Sequence, residues 1–254
     1  MVKKSVTKNY FWRYLLAIVF ILIVLELLLV IYSPSELNIE NEGKFEPVFI
    51  QEGDLTLLSM MLPAVDSDGN GVSTVLFVEA MPGSGRTLTD IDNLLFWADT
   101  QHSIRIARLV AGELSEEDVN NYDLIYSIKA NASIIGGPSA GAALAIATIA
   151  AIEGKSVRED VMITGTINRD GSIGPVSEIL AKAKAAGDAG AKTFLVPLLQ
   201  SRDIVYESED SCETFGTSEL CTTETKPRKV NLTEETGVQV IEVGSIEEAL
   251  KYFY

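Results

Sequence analysis

The sequence is poor in the residues that most often bind metals, with one histidine, His102, and two cysteines, Cys212 and Cys221. A zinc site takes three or four protein ligands, drawn mainly from histidine and cysteine. These residue types are too few here, so we expect no metal and no other cofactor. The same shortage limits serine catalysis, because only one imidazole could act as a general base.

Positive charge is also scarce: 20 lysines and arginines face 36 aspartates and glutamates, which gives a formal net charge of −16. Proteins that bind nucleic acid neutralise phosphates with basic patches, so this composition disfavours DNA or RNA as a partner. The phosphate-binding pattern Gly-x-x-x-x-Gly-Lys-Ser/Thr does not occur in the sequence. We therefore expect a function that is independent of ATP.

A long apolar run is present, and it extends from Tyr14 to Tyr32. As a helix its 19 residues would measure about 28 Å, close to the roughly 30 Å hydrocarbon core of a bilayer. Basic residues precede the run and mainly acidic ones follow it, which predicts a cytoplasmic N-terminus. The pattern indicates a single-pass cell-membrane protein with its remaining chain extracytoplasmic, and a cleaved signal peptide is the alternative. The basic residues are Lys3, Lys4, Lys8 and Arg13, and Glu26, which interrupts the run, is assigned no role.

The two cysteines stand nine positions apart in a polar stretch, residues 201–231, that we predict to be an irregular insertion. Outside the cytoplasm cysteines commonly form disulfides, so a bridge between Cys212 and Cys221 is the natural interpretation. Free thiols remain an open alternative.

Periodicity divides the chain into a cytoplasmic N-terminus (1–13), a transmembrane helix (14–32), an acidic linker (33–61) and a folded domain (62–254). Within the domain, strand-like runs alternate with helical ones, which predicts an α/β or α+β fold. The predicted strands are Thr74–Met81, Asp123–Ile128, Val161–Ile167, Lys192–Pro197 and Val238–Val243. The predicted helices are Leu88–Glu113, Ser139–Ile152, Ser177–Ala186 and one that begins at Ser245.

The segment Gly137-Pro138-Ser139-Ala140-Gly141 fits the pattern G-x-S-x-G, in which small neighbours let a serine sit on a tight turn. In an α/β-hydrolase the histidine follows the serine, but His102 precedes Ser139, so that assignment fails. A chymotrypsin-like order with His102 first stays formally open, although His102 lies within a predicted helix. The other known partner of a catalytic serine is lysine, which must be neutral to accept the proton.

An ordinary lysine has a pKa near 10.4, so a lysine base must be buried in order to lose its proton near neutral pH. Lys182 shares one helix face with the apolar residues Ile179 and Ala186, whereas Lys184 points about 200° away from it. We therefore predict that Lys182 is the buried base and that Lys184 is solvated.

The segments around both residues resemble the proteolytic domain of Lon proteases, over roughly Val65 to Pro197. In that family a Pro-Ser-Ala-Gly serine pairs with a lysine 43 positions later, and Lys182 follows Ser139 by the same interval. A Thr-Gly pair of the family falls on Thr164-Gly165. Further matching stretches are Gly171 to Gly174 and Gly190-Ala191-Lys192-Thr193.

This resemblance implies the Lon proteolytic fold and a serine endopeptidase whose nucleophile is Ser139 and whose general base is Lys182. It also implies supporting roles for Gly137, beside the nucleophile, and for Thr164. The threonine hydroxyl could hold the lysine amine, or Thr164 could be an ordinary strand residue. Protein or peptide substrates follow from the resemblance, as does a homo-oligomer, which in the family is a hexamer. Membrane-anchored archaeal Lon-like proteins without an ATPase module are similar in organisation.

The sequence departs from the family at Gly136, where an acidic residue is frequent, and in its cysteine-containing insertion. Three other functions stay open. One is a catalytically silent Lon-like domain that binds peptides, and another is an amide hydrolase that uses the same two residues on a non-peptide substrate. The third is a scaffold that uses the fold and its acidic surface without catalysis.

Asp66, Asp68 and Asn70 place oxygen ligands at alternate positions, as at the start of a calcium-binding loop. Position twelve of such a loop would be Phe77 rather than glutamate. A polar turn before a strand is therefore the favoured interpretation, with a calcium site as the alternative.

Overall fold

The computed structural model describes residues 14–16, 48–90, 98–130, 137–215 and 218–254. The chain divides into two compact units, Met1–Lys44 and Phe45–Tyr254. In the first unit residues 14–16 are helical, and the rest of the predicted transmembrane segment, including Glu26, lies outside the described residues. In the part of the chain that is described, no helix is both long and apolar enough to cross a bilayer.

The second unit contains a five-stranded sheet in the order β1-β2-β3-β5-β4. Neighbouring strands are antiparallel except β4 and β5, which are parallel. Strands β2 and β3 are rich in apolar and β-branched residues, and most of β2 and the middle of β3 are buried. The strands are β1 (Phe49–Glu52), β2 (Leu55–Val65), β3 (Gly71–Pro82), β4 (Thr87–Thr89) and β5 (Tyr122–Lys129).

This sheet begins earlier than the predicted domain start at residue 62. β1 and most of β2 fall within the segment 33–61 that was predicted to be a linker, and Leu58 and Met60 are buried in the core. The acidic residues Glu52 and Asp54, which suggested a linker, lie at the exposed turn between the two strands. The charged residues at this turn therefore made the start of a core strand resemble a linker.

A second sheet is parallel and has the strand order β12-β9-β6. Its strands are β6 (Val161–Ile163), β9 (Thr193–Pro197) and β12 (Gln239–Val243). The single strand predicted at Val161–Ile167 is broken after Ile163, because the Gly165 N–H donates to Ser139 O instead of a neighbouring strand. The chain then forms a small antiparallel pair, β7 (Thr166–Ile167) with β8 (Ile173–Gly174).

Five α-helices lie in the described part of this unit: α1 (Ala98–Leu114), α2 (Gly141–Ile152), α3 (Ile179–Asp188), α4 (Leu232–Thr236) and α5 (Ile246–Phe253). Every residue of α2 is buried, and this alanine-rich helix packs against α1 and strands β2 and β3. Sheets and helices together confirm the predicted mixed α/β class. The helix predicted from Leu88 does not include residues 87–89, which pair with β5 as strand β4.

The polar stretch 201–231 is a regular hairpin rather than the irregular insertion that was predicted. Strands β10 (Arg202–Phe215) and β11 (Ser218–Asn231) are antiparallel, and Cys212 lies directly opposite Cys221. The two cysteines form a disulfide. Side chains on both faces are exposed near the bridge, so the sequence lacks the apolar alternation by which a strand is usually recognised.

The acidic segment that begins at Asp66 forms the turn between β2 and β3. The Asp66 carboxylate accepts hydrogen bonds from Asp68 N at 2.9 Å and from Asn70 N at 2.8 Å. These bonds lower the pKa of Asp66, with the bond from Asn70 as the largest cause. Its oxygens therefore hold the turn, and among the described residues no group of three or more histidine, cysteine or acidic side chains could bind a metal.

Candidate active site

Ser139 lies in a short 3-10 helix, Pro138–Ala140, that leads directly into the buried helix α2. The preceding Gly137 is extended, and proline at the first helical position suits a helix start. The serine side chain is partly exposed although the helix that follows is fully buried. This transition places a hydroxyl at the edge of the core.

The backbone of Ser139 is held from the second half of the domain. Its carbonyl oxygen accepts from the Gly165 N–H at 2.9 Å and from the Thr164 hydroxyl at 3.3 Å. Ala142 N donates to Gly165 O at 3.0 Å, so Gly165 bonds to the chain on both sides of Ala140 and Gly141. The structure thus brings Thr164 to the backbone of Ser139. Of the two interpretations of Thr164, a hydrogen bond to the Lys182 amine is not found among the described residues.

Lys182 lies on helix α3 and is only 4% exposed, on the same buried face as Ile179 and Ala186. Lys184 is exposed, as the helix phase predicted. The Lys182 Nζ donates to the carbonyl oxygen of Ser177 at 3.0 Å. Burial lowers the pKa of Lys182 to about 8, and the negative charge of Glu178 acts in the opposite direction.

Ser139 and Lys182 line the same cavity, which has a volume of about 320 Å³. That volume is within the usual range of ligand sites. Apolar residues such as Val65 and Val176 form part of the wall, and Gly137 lies beside the serine. Within the described residues, the hydrogen bond of Lys182 Nζ goes to Ser177 O rather than to Ser139 Oγ.

Two acidic residues that the sequence did not single out also line this cavity, Asp99 of α1 and Glu178 before α3. Glu178 has a φ of +54°, in the left-handed region that non-glycine residues rarely adopt. No local pattern in the sequence marks either residue. His102 is exposed on α1 and is not among the described residues that line the cavity, which gives the chymotrypsin-like alternative no support.

An accessible serine and a buried lysine that line one cavity are the groups that a serine-type peptidase with a lysine base requires. Residues 74–212 match the Lon protease (S16) C-terminal proteolytic domain family. The chain therefore belongs to this family, which places it among serine-type peptidases.

Curated relatives agree with the family match. The Lon protease of Geobacter metallireducens is 36% identical over 135 residues, which cover 51% of this chain and 16% of the relative. The Lon protease of Methylocella silvestris is 33% identical over 144 residues, covering 55% and 18%. An archaeal Lon protease from Thermoplasma volcanium is 32% identical over 97 residues, covering 38% and 15%. The chain thus matches less than a fifth of the length of these relatives.

Proposed function

We propose that this chain is an ATP-independent serine endopeptidase in which Ser139 is the nucleophile and Lys182 is the general base. The observation that carries the proposal is the shared cavity, with the serine accessible and the lysine buried. With a pKa of about 8, roughly one Lys182 in ten is neutral at pH 7, against fewer than about one in a thousand for an ordinary lysine. Burial therefore supplies the base that a serine without histidine needs.

The proposed acylation step uses one N–H group and the lone pair of the Lys182 amine. A neutral lysine amine has two N–H groups and one lone pair. One N–H keeps the hydrogen bond to Ser177 O, while the lone pair accepts the hydroxyl proton as Ser139 Oγ attacks the peptide carbonyl. The ammonium then protonates the leaving amine, the C–N bond breaks, and an acyl group remains on Ser139. A water molecule, activated by the neutral Lys182, hydrolyses this ester and restores the serine.

Negative charge develops on the carbonyl oxygen and requires N–H donors near Ser139. The Gly141 and Ala142 N–H groups are already bonded, to Pro138 O and Gly165 O. The Ser139 N–H lies in the first turn of its 3-10 helix, where helix geometry provides no acceptor within the helix. We assign this group as an oxyanion donor.

The test is acylation of the full-length chain, in detergent, by a serine-reactive fluorophosphonate probe across a range of pH. Wild type should label with a rate that rises through a midpoint near 8. Ser139→Ala and Lys182→Met should abolish labelling. Lys184→Met is the matched control, because it removes an exposed lysine from the same helix, and it should label like wild type.

A catalytically silent peptide-binding or scaffold domain is the second candidate. One observation favours it: Lys182 Nζ bonds to Ser177 O and, within the described residues, not to the nucleophile. A wild-type protein that binds peptides but never reacts with the probe would establish this alternative. Labelling of Lys182→Met at the wild-type rate would remove the lysine from the mechanism.

The wider organisation is proposed from sequence. We infer that residues 14–32 anchor the chain in the cell membrane, with the N-terminus cytoplasmic and the peptidase domain extracytoplasmic, acting on proteins or peptides as a homo-oligomer. The apolar run and its basic flank support the anchor and its orientation, and the family match supports the substrates and the oligomer. Carbonate extraction of membranes and protease digestion of intact cells test the anchor and its orientation, because an anchored extracytoplasmic domain stays in the pellet and is digested from outside.

A further inference from the structure

Gln200 makes two hydrogen bonds with the backbone of a single residue, Val176. Its Oε1 accepts from Val176 N at 2.9 Å, and its Nε2 donates to Val176 O at 2.7 Å. Both residues are half-buried, so water competes less for these bonds than at the surface. An amide that donates and accepts in this way fixes both the position and the tilt of the backbone it holds.

Val176 is adjacent to Ser177, whose carbonyl oxygen accepts the hydrogen bond from Lys182 Nζ. Val176, Ser177 and Lys182 all line the cavity. A displacement of the Val176 backbone would therefore move the acceptor that holds the amine. Gln200 is thus connected to Lys182 through one backbone segment.

The chain follows an unusual path to bring Gln200 to this position. Pro197 to Gln200 form a turn that is closed by a hydrogen bond from Gln200 N to Pro197 O at 3.2 Å. Within the turn Leu199 has a φ of +67° and is 90% exposed. A leucine in the left-handed region costs energy, and here no burial of its side chain offsets that cost. The strained turn directs the amide of Gln200 back to Val176.

A second contact joins the same stretch to the start of helix α3. The Asp203 carboxylate accepts from Leu180 N at 3.4 Å, in the first turn of the helix that carries Lys182. Residues 200–203 therefore hold the chain on both sides of Ser177 and Glu178. The longer of these bonds is the weaker one, so the two bonds of Gln200 are the main connection.

We propose that Gln200 is a positioning residue for Lys182, acting through the backbone of Val176 and Ser177. The inference rests on the proposed function of Lys182 as a base. The charged groups that line the cavity with Lys182 are Asp99 on α1 and Glu178 before α3, and replacing Gln200 by an uncharged residue leaves both in place. A change in the titration of Lys182 would therefore report on the lost hydrogen bonds rather than on a lost charge.

The first variant is Gln200→Met in the full-length chain, which keeps a similar side-chain volume and removes both hydrogen bonds. Loss of the Ser177 carbonyl as an acceptor removes a hydrogen bond that favours the charged amine, so the pKa of Lys182 should fall below about 8. We expect the midpoint of fluorophosphonate labelling to fall by about one pH unit, and the rate at pH values above the midpoint to fall about tenfold because the amine is no longer held in place. The control is Gln239→Met, an exposed glutamine on β12, which should change neither quantity.

Gln200→Asn provides a second test if Gln200→Met does not fold. It keeps the amide on a shorter side chain, and the expected shift is in the same direction but smaller. A folded Gln200 variant with the wild-type midpoint would overturn the inference. Titration of Lys182 by NMR in protein labelled with [ε-13C]lysine separates the two proposals. If Gln200→Met shifts Lys182 in a protein that never labels, the positioning role stands and the peptidase proposal fails.

Discussion

The hydroxyl of Thr164 donates a hydrogen bond to the carbonyl oxygen of Ser139, with 3.3 Å between the two oxygens. Thr164 is 1% exposed, and the next residue donates its N–H to the same carbonyl. Two adjacent residues therefore hold the backbone of the proposed nucleophile. The contact assigns Thr164 to the serine half of the site.

This contact predicts the effect of Thr164→Val. The variant loses one hydrogen bond of about 1 kcal/mol, so the fluorophosphonate rate should fall by up to about tenfold. The midpoint of its pH profile should stay at the wild-type value, because the Thr164 hydroxyl bonds to Ser139 O whereas Lys182 Nζ bonds to Ser177 O. A shifted midpoint would instead show that Thr164 acts on the lysine, as a hydrogen bond to the amine would require.

The positions of Ser139 and Lys182 could be predicted because each depends on a local pattern. A helix repeats every 3.6 residues, so the phase of α3 alone distinguishes a buried Lys182 from an exposed Lys184. The contacts around them could not be predicted in this way. Gln200 and Val176 are 24 positions apart in the chain, and no periodicity relates them.

The strands that were missed share a different cause. Side chains on both faces of the hairpin near Cys212 and Cys221 are exposed, so burial imposes no alternation there. At β1 and β2 the exposed turn at Glu52 and Asp54 resembled a linker. Pairing between two consecutive strands decides both cases, and a single strand read alone contains little of that information.

Glu178 predicts a shift in pH dependence. Its negative charge favours the protonated form of Lys182 and so opposes the effect of burial on that pKa. Glu178→Gln removes the charge and keeps the shape, so the pKa of Lys182 should fall below about 8. The midpoint of fluorophosphonate labelling should move to lower pH, and labelling at pH 7 should become faster.

The matched control for this variant is Asp188→Asn. Asp188 is exposed at the far end of the same helix and is not among the residues that line the cavity. It should leave the midpoint unchanged. Equal midpoints in wild type and Glu178→Gln would refute an electrostatic effect of Glu178 on the base.

Alanine substitutions at the two glycines beside the nucleophile should have different effects on stability. A Cβ on Gly141 would lie 2.6 Å from Ile167 Cγ2 and 2.9 Å from Ile167 N, and the backbone atom cannot easily move. Gly141→Ala should therefore lower the free energy of unfolding by about 1–3 kcal/mol. A Cβ on Gly137 meets nothing within 4 Å, and its extended backbone suits any residue, so Gly137→Ala should unfold like wild type. Urea denaturation of both variants measures the difference, and equal stabilities would contradict the described packing.

The hydrogen bonds of the Asp123 carboxylate predict how the stability of the protein depends on pH. Its carboxylate accepts from Arg86 Nε at 2.7 Å, from Arg86 N at 2.8 Å and from Ser84 N at 2.9 Å. These bonds, with Arg86 as the largest cause, lower the pKa of Asp123 from 3.8 to about 2. A depressed pKa contributes stability above the unfolded value and loses it as pH falls through the folded value. This contribution should disappear between pH 4 and pH 2.

The corresponding variant is Asp123→Asn, compared with wild type by urea denaturation at several pH values. It should be less stable than wild type at pH 7, and the difference should shrink as the pH falls toward 2. Asp54→Asn, which changes an exposed aspartate, is the control and should follow the wild-type curve. If the difference in the free energy of unfolding between Asp123→Asn and wild type stays constant with pH, the carboxylate contributes through packing alone.

The disulfide between Cys212 and Cys221 predicts a local effect. Hairpin side chains around the bridge are exposed, whereas Val230 at the other end is buried and Asp203 contacts helix α3. The double variant Cys212→Ser, Cys221→Ser should therefore speed amide exchange near the bridge by about tenfold or more, with the core and the labelling of Ser139 unchanged. Hydrogen exchange with mass spectrometry resolves the two regions. If labelling falls together with hairpin protection, the hairpin as a whole, and not only its base at residues 200–203, holds Lys182 in place.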